Sequence, residues 1–168
     1  MKADRREERP ALKPEKMADL AAWVFSGDTA HIDEFILAGS SGIRSEHLHA
    51  IAKESQSVYE KIDVARDAGL SDLKAYARLI MQTLESAARS DAADPLPGYL
   101  AEGTFAAQYL IEEHDLIPDS VPGMGLIDDA ILIKRVFSRS EVEFMRLEMR
   151  KQKYALAYEP GIKVNNPS

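Results

Sequence analysis

Between residues 45 and 65, apolar side chains recur three and four positions apart. Leu48, Ile51, Ala52, Val58, Tyr59, Ile62 and Ala65 form one stripe, with Ser55 on the same line. That period places them on one face of an α-helix and cannot suit a strand, whose faces alternate every residue. Ser45 is a natural N-cap for this helix and Gly69 a natural residue just past its end. Ser71 then caps a second helix, with Leu73, Tyr76, Ala77, Ile80 and Leu84 inward. The connection between the two is short, so they should form an antiparallel pair.

The rest of the chain follows the same period. Met17, Leu20, Ala21 and Val24 suggest a helix entered at Pro14 and ended at Gly27. Asp28 or Thr29 can cap a short helix carrying Ile32, Phe35 and Ile36, which Gly39-Ser40-Ser41-Gly42 should break. Residues 90–98 read as a loop, followed by a helix from Tyr99 to Glu113 with Leu100, Ala107, Leu110 and Ile111 apolar. Residues 115–125 hold two prolines and two glycines and cannot be helical throughout. Ile127 opens a last helical region, with a break expected at Ser138–Ser140 and an end at Pro160-Gly161. Nothing alternates with period two for long. The expected fold is all-α, a compact bundle of about six or seven helices with a Pro/Gly/Asp-rich corner at 115–126. Its expected parts are a flexible tail over 1–13, an N-terminal helical region over 14–70 packed on the rest, a helical domain with a C-terminal helix over 71–160, and a tail over 161–168.

Composition excludes several classes. There is no cysteine, hence neither a disulfide framework nor a cysteine-based zinc site. A hydrophobic fraction of 45% is too high for a disordered chain. No apolar h-region follows the charged N-terminus, and the run Ala130–Ile133 is far too short to span a bilayer. A soluble, cytoplasmic protein is expected, with any membrane contact peripheral. The formal charge of −7 argues against a nucleic-acid binder. That charge is unevenly spread. Residues 85–129 carry a local net of −9, and residues 134–153 a local net of +4. Such blocks steer partners or pair with one another.

The most distinctive stretch is 109–129, YLIEEHDLIPDSVPGMGLIDD. Its D-L-I-P-D step, P-x-x-G turn and closing acidic pair fall on Asp115, Leu116, Ile117, Pro118, Asp119, Pro122, Gly123, Gly125, Asp128 and Asp129. This resembles the YkvA-like family, a domain of unknown function (1232), over roughly residues 73–137. The resemblance implies a helical corner and carries no established reaction. Relatives often have a proline near position 113, where this chain has Glu113-His114. Relatives also often continue past the acidic pair as a long apolar helix. Here Lys134, Arg135 and Arg139 interrupt it.

Asp115, Asp119, Asp128 and Asp129 are candidate metal ligands, because converging carboxylates repel one another and recruit a cation. Mg²⁺ or Ca²⁺ is the ion they would take; otherwise no cofactor is expected. The spacing is not that of an EF-hand. The competing view makes the stretch a structural corner. Asp128 and Asp129 would then favour the N-terminus of a helix, while Pro118, Pro122, Gly123 and Gly125 shape the turn.

The C-terminal helix carries two apolar stripes. Val142, Met145, Met149 and Leu156 form one; Phe144, Leu147, Tyr154 and Tyr158 form the other. Such a helix either inserts between layers of its own bundle, the default expectation, or meets a partner. In the second case Phe144, Leu147, Tyr154 and Tyr158, with Arg146 and Arg150, are the contact set, for a protein partner or a second copy. The function expected first is therefore a non-catalytic helical interaction or regulatory protein. A metal-binding, hydrolytic protein built on the aspartates is the alternative. A peripheral membrane or nucleic-acid binder using the basic C-terminal helix is the third.

Overall fold

The computed structural model describes residues 29–64, 71–111 and 127–157. Among them are seven helices and no strand: α1 (Thr29–Ser40), α2 (Ser45–Lys53), α3 (Ser55–Val64), α4 (Ser71–Arg89), α5 (Gly98–Ile111), α6 (Ile127–Arg139) and α7 (Glu141–Ala157). The all-α bundle expected from the helical period is the fold. The first expected helix, at Pro14–Gly27, lies outside the described residues, as do Gly69 and the turn at Pro160-Gly161.

The bundle is organised around α5, which packs against α1, α2, α3, α4 and α6. Helix α4 lies beside it and also meets α7. The periodic residues supply the core: Ile32 and Ile36 from α1, Leu48 and Ile51 from α2, Val58 and Ile62 from α3, and Leu73, Ala77, Ile80 and Leu84 from α4 are all buried. Helix α5 goes further than its sequence stripe. Glu102, Gly103, Thr104, Ala106, Gln108 and Tyr109 are buried in addition to Leu100, Ala107 and Leu110. A helix surrounded by others needs an apolar or small residue on nearly every side, and the run Gly103-Thr104-Phe105-Ala106-Ala107 provides it. Gly103 lies close to Ile80, Leu84 and Phe144, so that two elements, α4 and α7, converge on its bare backbone.

Two local departures have identifiable causes. The expected single helix over 45–65 is two helices, interrupted at Glu54 (φ −93°, ψ 13°). There the Glu54 N–H is shared between the carbonyls of Ala50 at 3.2 Å and Ile51 at 3.1 Å, a tightening typical of helix ends. Leu48, Ile51, Val58 and Ile62 still face the core, so the interruption costs no burial. Ser45 is not the N-cap. Arg44 holds that place, and its N–H donates to His47 Nδ1 at 2.9 Å. Ser45 instead ties the start of α2 to the 90–98 loop, its N–H donating to Asp94 Oδ1 at 2.8 Å and its hydroxyl to Asp94 Oδ2 at 3.0 Å. The expected break at Gly39–Gly42 is present, since α1 ends at Ser40, and Gly39 lies in its last turn, where a Cβ would collide with the ring of Phe105. Phe105 in turn meets Phe35 edge-on at 5.5 Å.

Helix α4 ends in a Schellman motif. Ala92 N–H donates to Ala87 O at 3.0 Å and Asp91 N–H to Ala88 O at 3.1 Å, with Asp91 left-handed at φ 55°. Helices α3 and α4 run antiparallel as expected. Tyr59 OH donates to Glu85 Oε1 at 2.6 Å, while Asp63 meets Lys74 at 3.1 Å and Arg78 at 3.0 Å. Burial, then the Glu85 hydrogen bond, push the Tyr59 phenol pKa up, so it stays a donor at any ordinary pH.

An ion-pair network fastens α6 to α1 and α5. Arg135 holds Asp33 through two hydrogen bonds, Nε to Oδ1 at 2.7 Å and Nη2 to Oδ2 at 2.8 Å. Arg139 holds Glu102 the same way, Nε to Oε2 and Nη2 to Oε1, both at 3.0 Å. Arg139 Nη1 also lies 3.4 Å from Asp33 Oδ1, which joins the pairs. The Arg135 hydrogen bonds lead the effects that hold the Asp33 carboxyl below the ordinary carboxylate range. Its stabilising contribution is therefore complete above the unfolded value of about 3.9 and fades as pH falls through the lower folded value. Wild type should lose stability more steeply than Asp33→Asn between about pH 4 and pH 2, as read by urea midpoints across that range. Equal slopes would mean that the pair adds nothing to folding.

Candidate interaction surface

Helix α7 begins one residue after α6 ends, with the break at Ser140; Phe144 N–H donates to Ser140 O at 3.1 Å and opens the new helix. The helix is amphipathic in an unusual way, because its anchorage is confined to its first half. Phe144 is fully buried, stacked near Phe137 with centroids 6.0 Å apart and meeting Tyr99 edge-on at 6.0 Å. Phe137 passes the stack on to Tyr76 at 4.4 Å. Met145 and Leu147 are half-buried beside Phe144. From Met149 to Ala157 every residue is exposed.

The stripe Val142, Met149, Leu156 lies on the side away from Phe144 and Leu147, with relative exposures of 69%, 61% and 68%. These residues are spaced by seven, so they stay in line for the whole helix. Glu141 and Glu148 border the stripe on one flank; Arg146 and Lys153 border it on the other. Large apolar side chains aligned in this way are distinct from the scattered exposed residues of ordinary surfaces.

The structure divides the residues expected to meet a partner. Phe144 is in the core and is not available, which corrects its assignment to the contact set. Leu147 is half-buried, while Arg146, Arg150 and Tyr154 are exposed. Tyr158 lies outside the described residues. The helix is also not sandwiched along its length, contrary to the default expectation. It is docked through its first turns and open beyond them. Sequence pattern missed this because Phe144, Leu147 and Tyr154 form one continuous line on the helix, whereas the bundle beneath them ends after Leu147. The basic block is smaller at the surface than the charge count suggests, since Arg135 and Arg139 are committed to Asp33 and Glu102. The expected pairing between the acidic and basic blocks is realised by Glu102 with Arg139.

Of the candidate metal ligands, Asp115 and Asp119 lie outside the described residues, as do Pro118, Pro122, Gly123 and Gly125. Asp128 and Asp129 occupy the second and third positions of α6. Asp129 is buried, with 1% exposure. Among the described residues, no group of three or more His, Asp or Glu side chains is placed to hold a metal ion. No helix among them is long and apolar enough to cross a membrane.

Neither the curated proteins nor the solved structures include a match to this chain. A family model does match, described as "Protein of unknown function (DUF1232)". The match covers residues 104–134, from within α5 to the middle of α6, so the family resemblance carried by the Asp/Pro/Gly motif holds over this stretch, narrower than the 73–137 expected from the motif.

Proposed function

We propose that this chain is a non-catalytic interaction protein, whose helical bundle presents the outer face of α7 to a protein partner. The observation that carries this reading is the exposed, seven-spaced stripe Val142, Met149, Leu156 on a helix anchored from behind by Phe144. Burying that stripe would remove apolar area from water, at about 25 cal/mol per Å². The flanking charges add selectivity more than affinity.

The test is a photoreactive residue placed at Met149, with one at exposed Lys53 on α2 as control, activated in living cells. Covalent protein adducts are expected from position 149 and not from position 53. No adduct from 149, or the same adducts from both positions, would overturn the proposal.

A further inference from the structure

We infer that the outer face of α7 pairs with α7 of a second copy of this chain, parallel and in register. This rests on the proposed role of that face and names its occupant. The seven-residue spacing makes Val142, Met149 and Leu156 successive a positions of a heptad, with Met145 and Gln152 at d. Met145 is half-buried and borders the seam on the side of the body. In the same register Glu141 and Glu148 fall at g, and Arg146 and Lys153 at e.

That charge order selects an orientation. Two parallel helices bring each g residue against the e residue five positions later on the other chain. Glu141 then faces the second copy's Arg146, and Glu148 faces its Lys153, and the two-fold axis repeats both contacts. All four contacts are attractive. An antiparallel pair would set g against g and e against e, Glu against Glu and Arg against Arg or Lys, and all would repel. Among the described residues, the ion pairs of the arginines near α7 use Arg135 and Arg139, and leave Arg146 to the outer face.

A second copy also fits the rest of the surface. The buried anchor Phe144 faces the body and leaves Val142, Met149 and Leu156 on the outer side. An anionic lipid surface fits less well, because acidic residues, Glu141 and Glu148, flank the seam of a and d positions on one side as basic residues do on the other. The seam covers little more than two heptads, so the dimer is weak and reversible, and detection requires trapping.

The chain has no cysteine, which makes a single Val142→Cys substitution a clean reporter. In a parallel, in-register pair the two introduced thiols lie side by side; in an antiparallel pair each lies toward the other helix's far end. Purified Val142→Cys protein should form a disulfide-linked dimer under mild oxidation. Adding Arg146→Glu with Lys153→Glu should reduce the yield at least about tenfold, as should adding Glu141→Lys with Glu148→Lys, since each set turns four attractive contacts repulsive. Mixing the two charge-swapped proteins should restore the dimer as a heterodimer, because complementary flanks then face each other. This rescue separates pairing from a loss of folding. The inference is overturned if Val142→Cys gives no dimer, if the swaps leave the yield unchanged, or if the mixture fails to recover it. Binding to phosphatidylserine vesicles with no dimer would overturn it in favour of a lipid surface. If photocrosslinking from position 149 captures a different protein while no self-pair forms, the second-copy inference falls and the interaction role stands.

Discussion

Replacing Glu102 by Ala should cost about 2–4 kcal/mol of folding stability, because it leaves the Arg139 guanidinium partly desolvated with its principal partner gone. Glu102 is among the most buried charged residues described, at 7% exposure, on the central helix α5. Arg139 retains some solvent contact and a second carboxylate, Asp33, at 3.4 Å, which holds the loss below that of a fully buried pair. Arg139→Met should be at least as damaging, since it abandons the more buried of the two charges. The double variant Glu102→Met with Arg139→Met should recover much of the loss, because an apolar pair of similar volume needs no compensation. Urea denaturation of the four proteins gives the coupling directly. Additive losses would show that the two residues act independently, contrary to the geometry.

Phe144→Ala should cost about 3–5 kcal/mol, the ordinary range for deleting a fully buried aromatic side chain. The ring fills the space among Tyr99, Phe137 and the bare backbone of Gly103. It is also the deepest anchor of α7. Hydrogen exchange should therefore report the loss unevenly, with α7 amides opening before those of α4 and α5. Phe144→Leu, which keeps most of the volume, should cost less than half as much. A Phe144→Ala protein as stable as wild type would mean that α7 is not docked through this residue.

Most of the fold could be read from the sequence because the signal was local. Ile36, Leu48, Val58, Ile62, Ile80 and Leu84 sit at helical spacing, and all are buried. What could not be read depends on residues distant in the chain. The partner of Arg135 is 102 positions away, and that of Arg139 is 37 away. No helical wheel reveals that two arginines interrupting an apolar run are satisfied by other helices. Burial on nearly every side of α5 was missed because Glu102, Thr104 and Gln108 read as polar, although enclosure by five neighbours buries them. The interruption at Glu54 has no Pro or Gly to announce it. The contact surface was half legible. The two stripes of α7 are in the sequence, but which one the bundle covers, and for how many turns, depends on its contacts with helices distant in the chain, α4 above all. Phe144 was assigned to the wrong side for that reason. The aspartate motif was legible as a family signature, and the family match falls across it.

Everything proposed for α7 requires that its outer stripe contribute nothing to the folding of a single chain. Equilibrium urea denaturation of Met149→Gln with Leu156→Gln, at protein concentrations low enough to keep chains apart, measures this directly. Both residues are more than half exposed, and glutamine is a good helix former. Stability is predicted to stay within about 0.5 kcal/mol of wild type. A loss of about 2 kcal/mol or more would place the stripe in the chain's own core and contradict a face held ready for a partner.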